Sequence, residues 1–236
     1  MMKIGGLQKL TLIDFPGKVA CTVFLSGCNF RCPFCYSPEL VLPEKIKEHP
    51  DISEKDFFNF LKERKNLLEG VTICGGEPTR DKKLPGFIKK IKKMGFFVKL
   101  DTNGSNPEML GKLIDKKIVD YFAMDIKAPL GVKAQNYEGA TGVKADLDKI
   151  KKSIGIIKNS GVDYEFRTTV VPSIHTREDI IQIVKDILPA KRYYLQAFLP
   201  EKTLNPAFEK IRPYSRDFLL EIQKAVSPFF EICQVR

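Results

Sequence analysis

The stretch Val19-Ala20-Cys21-Thr22-Val23-Phe24-Leu25-Ser26-Gly27-Cys28-Asn29-Phe30-Arg31-Cys32-Pro33-Phe34-Cys35-Tyr36 joins an apolar, β-branched run to a loop carrying three cysteines. Val19–Leu25 reads as a buried strand. Cys28, Cys32 and Cys35 then follow within eight residues, just past its C-terminal end. Thiols clustered this closely read as metal ligands. A disulfide scaffold is typically smaller and spreads its cysteines across loops. The other three of the six cysteines, Cys21, Cys74 and Cys233, are scattered.

Working outward, five more apolar runs read as strands: Val71–Cys74, Phe96–Leu100, Val119–Ile126, Tyr164–Val171 and Arg192–Leu199. Helical patterns separate them. A polar start at Ser53 opens a helix to about Leu68, which Gly70 ends. Leu84–Met94 stops at Gly95, and Pro107–Lys117 is entered through Asn106 with proline at its first position. Asp146–Asn159, Thr176–Leu188 and Ser215–Val226 complete the set, and a long connection spans Lys127–Thr141. Strands alternating with helices imply parallel pairing through helical crossovers. The residues suited to chemistry fall at strand C-terminal ends, where a parallel barrel builds its site. The expected fold is therefore α/β, a partial (β/α)6 TIM-like barrel of parallel strands rather than a flat doubly wound sheet. Residues 1–18, with Gly5-Gly6, Asp14 and Pro16-Gly17, are expected to form a short N-terminal hairpin or cap. Residues 19–236 form the core, in a single domain overall.

A chain of 236 residues with 43% hydrophobic composition can bury a full core. The net charge of +10 suits an acidic partner. Lys89-Lys90-Ile91-Lys92-Lys93 reads as the solvated face of an amphipathic helix. Zinc-finger spacing and aromatic RNA-binding motifs are missing, so nucleic acid is not supported as a partner. No apolar run approaches the ~18 residues of a membrane span, and no basic-then-apolar leader opens the chain. A cytoplasmic location without membrane association is expected.

Read from the residues alone, several motifs keep two meanings. Three thiolates can hold a polynuclear centre, and in a four-iron cubane they leave one iron open. A zinc site needs a closed set of four ligands, or three with one position open. The only histidines, His49 and His175, lie far from the cysteine loop in sequence. Gly75-Gly76-Glu77-Pro78 and Asp101-Thr102-Asn103-Gly104 read either as turns or as loops that let a ligand approach the backbone. Asp125-Ile126-Lys127 reads as a surface ion pair or as part of a site. Arg167 on an apolar strand is costly unless its guanidinium is paired or reaches a cleft. His175 reads as a loop or helix-capping residue, and Cys233 as a structural thiol.

Taken in order, these motifs resemble the radical S-adenosylmethionine (SAM) superfamily across nearly the whole chain. Within it, the Asp101–Gly104 and Asp125–Lys127 patterns resemble the glycyl-radical-enzyme activating enzymes. Gly6-Leu7-Gln8-Lys9-Leu10-Thr11-Leu12-Ile13-Asp14-Phe15-Pro16-Gly17 and Leu195-Gln196-Ala197-Phe198 are most similar to the anaerobic ribonucleoside-triphosphate reductase activating proteins. The resemblance implies a [4Fe–4S] cluster on Cys28, Cys32 and Cys35, with the methionine end of SAM on the open iron. Phe34 and Tyr36 would flank the cluster and the adenine. Gly75, Gly76 and Glu77 would receive the methionine ammonium. Asp101, Thr102, Asn103, Asp125, Lys127 and Arg167 would bind SAM, with Lys127 and Arg167 closest to the chemistry. Asp101, Thr102 and Asp125 would also hold a monovalent cation. Phe198 stands where several activating enzymes have a histidine, so a histidine contact to the ribose is not expected.

The implied activity is reductive cleavage of SAM to a 5′-deoxyadenosyl radical, which takes a hydrogen atom from a glycine of a partner enzyme. That partner would be an anaerobic ribonucleotide reductase, and a flavodoxin- or ferredoxin-type protein would supply the electron. The segment between Tyr36 and Val71 contains no cysteine, so a single cluster is expected. Two other readings stand beside this one: a radical SAM enzyme acting on a small molecule or another macromolecule, and a non-enzymatic iron–sulfur redox protein.

Overall fold

The computed structural model describes residues 1–131 and 134–236. Among these described residues, eight strands form one sheet in sequential order. They are β1 (Ile4–Thr11), β2 (Ala20–Leu25), β3 (Gly70–Gly75), β4 (Phe97–Thr102), β5 (Tyr121–Asp125), β6 (Asp163–Val170), β7 (Arg192–Ala197) and β8 (Ile232–Val235). The pair β1–β2 is antiparallel, and every later neighbour is parallel. The six strands expected from the sequence are β2–β7, and together they give the partial, open barrel that was anticipated.

Strand alternation divides the side chains into two sets. Val23, Val71, Ile73, Val98, Leu100, Phe122, Met124, Phe166, Val170 and Leu195 are buried in one apolar core. Their neighbours Thr22, Phe24, Thr72, Cys74, Asp101, Asp125, Arg167, Thr169 and Gln196 face a cavity inside the sheet's curve. The helices cover the apolar side. In Leu84–Lys93, Leu84, Phe87, Ile88 and Ile91 are buried at helical spacing, while Lys89, Lys90 and Lys93 are exposed. The lysine run is thus a solvated helix face, as its periodicity implies. No helix among the described residues is long and apolar enough to cross a membrane.

In the segment expected to form a hairpin or cap, β1 pairs antiparallel with β2 along its length and extends the sheet. Three features differ from the sequence reading. β8 adds a further parallel strand beyond β7. At four residues, Ile232-Cys233-Gln234-Val235 is too short for its alternation to stand out. Two short helices, Pro38–Val41 and Pro43–Glu48, follow the cysteine loop, each opened by proline. The connection expected over Lys127–Thr141 contains the helix Ala134–Thr141; residues 132 and 133 of it lie outside the described set.

Helix starts follow the polar residues that precede them. Ser53, Asn106, Asp146 and Ser215 each accept a backbone N–H three residues on. Thr176 forms a reciprocal capping box with Asp179 ahead of Arg177–Ile187, which satisfies donors the helix cannot pair internally. Replacing Thr176 by alanine should lower the unfolding free energy by about 1 kcal/mol. Urea denaturation checks this, and an unchanged midpoint would show that the cap contributes nothing.

Candidate functional site

The cysteine loop is fixed through its backbone. The Gly27 N–H donates to Leu40 O at 2.7 Å and the Arg31 N–H to Thr141 O at 2.7 Å. Leu204 and Asn205 donate to Cys35 O and Pro33 O at 2.8 and 3.0 Å. The Arg31 guanidinium donates back to Cys28 O and Phe30 O at 2.9 and 2.8 Å. A loop tied at both ends and across its middle presents its thiols at fixed positions.

Cys28, Cys32 and Cys35 all border one cavity of about 330 Å³. Burial pushes the Cys28 thiol up to about 11 and the Cys32 thiol up to about 12, and raises Cys35. The charges of these thiols act on one another, and Lys127 opposes the rise at all three. Cys74 borders the same cavity. Its thiol, pushed up to about 12 by burial, interacts instead with Asp101, Arg167 and Lys99. The site thus groups three thiols and leaves the fourth on the charged wall. Among the described residues, no three His, Cys, Asp or Glu side chains are arranged to hold a single metal ion. Three thiols bordering one cavity are the donor type and number that an iron–sulfur cluster with one open iron takes, so their chemistry fits that group.

Directly against the start of the cysteine loop lie Gly75 and Gly76, at the end of β3. Gly75 has φ +112°, and a Cβ there would come within 2.4 Å of the Leu25 backbone. A Cβ on Gly76 would come within 2.2 Å of Gly27 O. Both positions therefore require glycine. Glu77 departs from its expected role. It is 2% exposed and does not border the cavity. One carboxylate oxygen accepts from the Thr79 N–H at 3.0 Å, the Thr79 hydroxyl and the Thr102 hydroxyl at 2.8 Å. The other accepts from the Asn103 N–H at 2.6 Å. Glu77 braces the loops after β3 and β4 against each other. Asn103 also donates to Asn29 at 3.1 Å, which ties the cysteine loop to the same brace.

The far wall is a buried charge network. Arg167 donates from Nη1 to Asp101 and from Nε to Asp125, each at 2.8 Å. Asp101 also pairs with Lys99, and Asp125 accepts from Lys127 Nζ at 2.9 Å. Burial pushes both carboxyls up, but the cations beside them more than offset it. Asp101 and Asp125 end below their usual range, with Arg167 the largest opposing influence on each. Lys127 stands 5.9 Å from the Phe34 ring, which is buried, whereas Tyr36 is exposed on the cavity rim.

Sequence reasoning missed His175. It is 1% exposed. The Val171 N–H donates to its Nδ1 at 3.0 Å, so Nε2 carries the proton and donates to Lys127 O at 2.8 Å. Burial lowers its pKa, which favours this neutral form. The capping role expected of it belongs to Thr176, and His175 instead braces the lysine's backbone. Gln8, Asp14, Thr22, Thr72, Thr169 and Gln196 also border the cavity. Strand alternation from Cys74 or Arg167 would have found Thr72 and Thr169. Cys233, by contrast, is buried in β8 as a structural thiol would be.

Removing Arg167 leaves two buried carboxylates short of a partner. Arg167→Met should destabilise the fold by about 3–5 kcal/mol at pH 7. Depressed carboxyl pKa values contribute stability above the unfolded value, about 3.9, and lose it as pH falls through the folded one. The deficit of the variant should therefore shrink towards pH 3. Urea unfolding at several pH values measures it, and a deficit constant from pH 7 to pH 3 would contradict the network.

A family model described as "Radical SAM superfamily" matches residues 22–187, most of the chain. A protein of Methanocaldococcus jannaschii named "Putative glycyl-radical enzyme activating enzyme MJ1227" is 32% identical over 99% of this chain and 95% of its own length. The anaerobic ribonucleoside-triphosphate reductase-activating protein of Escherichia coli is 24% identical over 50% of this chain and 83% of its own. Proteins named pyruvate formate-lyase-activating enzyme match as well, so the similarities do not single out one kind of activator. Among solved structures, SuiB of Streptococcus suis with its precursor peptide superposes with a TM-score of 0.68 at 16% identity. That match covers 90% of this chain and 48% of SuiB, so the chain spans about half the length of that protein, and the likeness is one of fold. With the cysteine site, the open parallel barrel and these matches in hand, the chain belongs to the radical SAM superfamily of enzymes.

Proposed function

We propose that this enzyme generates a glycyl radical on a partner protein, with an anaerobic ribonucleotide reductase as the partner class. The observation that carries the reading is the cavity itself, with three interacting thiols on one wall and the Asp101–Arg167–Asp125–Lys127 network on the other. Similarity to MJ1227 over almost the whole of both chains supports it. The opening Gly6–Gly17 segment supports the partner class.

In this reading Cys28, Cys32 and Cys35 hold a [4Fe–4S] cluster. When bound, the cluster and SAM supply a one-electron cleavage of SAM to methionine and a 5′-deoxyadenosyl radical. The chain's own residues bind and orient. Gly75 and Gly76 open the backbone to the methionine end of SAM. Lys127 donates one N–H to Asp125 and has two left for the SAM carboxylate. The hydrogen bonds of Arg167 to Asp101 and Asp125 use Nε and Nη1, so Nη2 is not engaged by them. Phe34 and Tyr36 would flank the cluster and the adenine. Thr102 and Asn103, braced on Glu77, fix the loop between them. A monovalent cation would sit beside Asp101, Thr102 and Asp125. It would share both carboxylates with Arg167.

A protein segment needs a way in. In the strand order, β1 and β8 are the two ends of the sheet and do not pair with each other, which supports a lateral opening for a glycine-bearing loop. A flavodoxin- or ferredoxin-type protein in the cytoplasm would supply the electron. Anaerobically reconstituted protein should carry about four irons per chain and, with dithionite, convert SAM to 5′-deoxyadenosine. Cys32→Ala should abolish both. Mixed with the co-expressed reductase, the wild type should produce a glycyl-radical EPR doublet. SAM cleavage without a doublet on any co-expressed partner would overturn the activator reading.

A further inference from the structure

The cysteine cavity shares its wall with a second hollow. This open hollow, of about 470 Å³, lies against the Ser26–Gly27 turn and is bordered by Lys3, Arg80, Lys82 and Lys83. The cysteine cavity begins at the next residues of the same segments, Cys28 on one and Gly75-Gly76 on the other. The two segments touch through their backbones. The Glu77 N–H donates to Gly27 O at 2.9 Å, and even a Cβ on Gly76 would come within 2.2 Å of that oxygen. Glycines at 27, 75 and 76 keep the partition to backbone thickness, with a cluster ligand directly behind it.

The outer face of this partition is strongly basic. A Cβ on Gly27 would lie 3.2 Å from Arg80 Nη1, so the guanidinium sits directly over the turn before Cys28. Arg80 and Lys82 are exposed, and neither forms an ion pair among the described residues. Lys3 is only loosely paired, with Asp51 at 3.7 Å. The acids on the hollow are Asp81 and Glu77, and Glu77 is buried with its oxygens turned to the loop brace. Lys83 donates to Met1 O at 3.4 Å, whereas Arg80 and Lys82 are left to solvent, and the helix Leu84–Lys93 buries its apolar face without them. A basic concavity across a backbone contact from a redox site attracts an acidic protein and brings its redox group close to the cysteines.

We propose that this hollow is the docking surface for a small acidic one-electron carrier protein that reduces the enzyme, an inference that rests on the radical SAM reading above. The carrier is oxidised by one electron, and the group held by Cys28, Cys32 and Cys35 is reduced by one. No bond forms or breaks, and no proton moves at the partition.

Anaerobic stopped-flow mixing of the cluster-loaded enzyme with a reduced acidic flavodoxin tests the surface. Arg80→Glu/Lys82→Glu should lower the second-order rate of cluster reduction about tenfold or more at low ionic strength, since steering scales with local charge. Added salt should slow the wild type and barely affect the double variant. Lys82→Glu alone, on an exposed side chain, should give a smaller loss in the same direction. Lys151→Glu, an equal charge change on an exposed helix position elsewhere, should leave the rate nearly unchanged. Calorimetric titration with oxidised flavodoxin should show affinity falling in the same order. Dithionite-driven SAM cleavage should be equal in all four proteins. Unaltered flavodoxin rates in the double variant, or an equal loss from Lys151→Glu, would overturn the docking surface while dithionite turnover stands. A wild type that leaves SAM intact with dithionite would instead overturn the radical SAM reading.

Discussion

The guanidinium of Arg167 is the constraint on which the interior depends. From the middle of β6 it reaches Asp101 on β4 and Asp125 on β5, and each carboxylate has a second cation, Lys99 or Lys127. Charges this deep are costly unless each is paired and hydrogen-bonded. Here the pairing is mutual, and it fixes three consecutive strands at the level where the cavity opens. The network also sets the charge of that wall. Lys127 is held cationic, facing the cysteines, by the carboxylate that orients it.

A second layer of polar contacts holds the loops. Glu77 gathers donors from Thr79, Thr102 and Asn103, and Asn103 reaches the cysteine loop through Asn29. His175 accepts from Val171 and donates to the Lys127 carbonyl, while the Tyr214 hydroxyl donates to the His175 carbonyl at 2.8 Å. The groups that would touch a ligand are therefore rigid because others behind them are satisfied. That is the condition for a pre-organised site.

Much of this was legible in the sequence. Alternating apolar runs and helical patterns gave β2–β7 in order, because each strand is buried on its outer face by a helix whose spacing is plain. The cysteines, the two glycine-bearing loops and the residues at the ends of β5 and β6 converge because parallel strands carry their C-terminal ends to one rim. What stayed hidden depends on distant partners. β8 is an edge, defined by the neighbour it pairs with rather than by its own pattern. Glu77 sits in a motif that suggests a ligand, yet its oxygens meet Thr102 and Asn103, some 25 residues away. His175 follows a proline-ended strand like a loop residue, and only the packing of β5 against β6 brings it to Lys127.

The central claim is that Cys28, Cys32 and Cys35 would hold a four-iron cluster whose remaining iron would take SAM. Mössbauer spectra of protein reconstituted with iron-57, recorded with and without SAM, test it most directly. About a quarter of the iron, the one site without a cysteine, should change its isomer shift on SAM addition while the rest keeps its parameters. Spectra in which SAM alters no site, or alters all of them alike, would contradict the account.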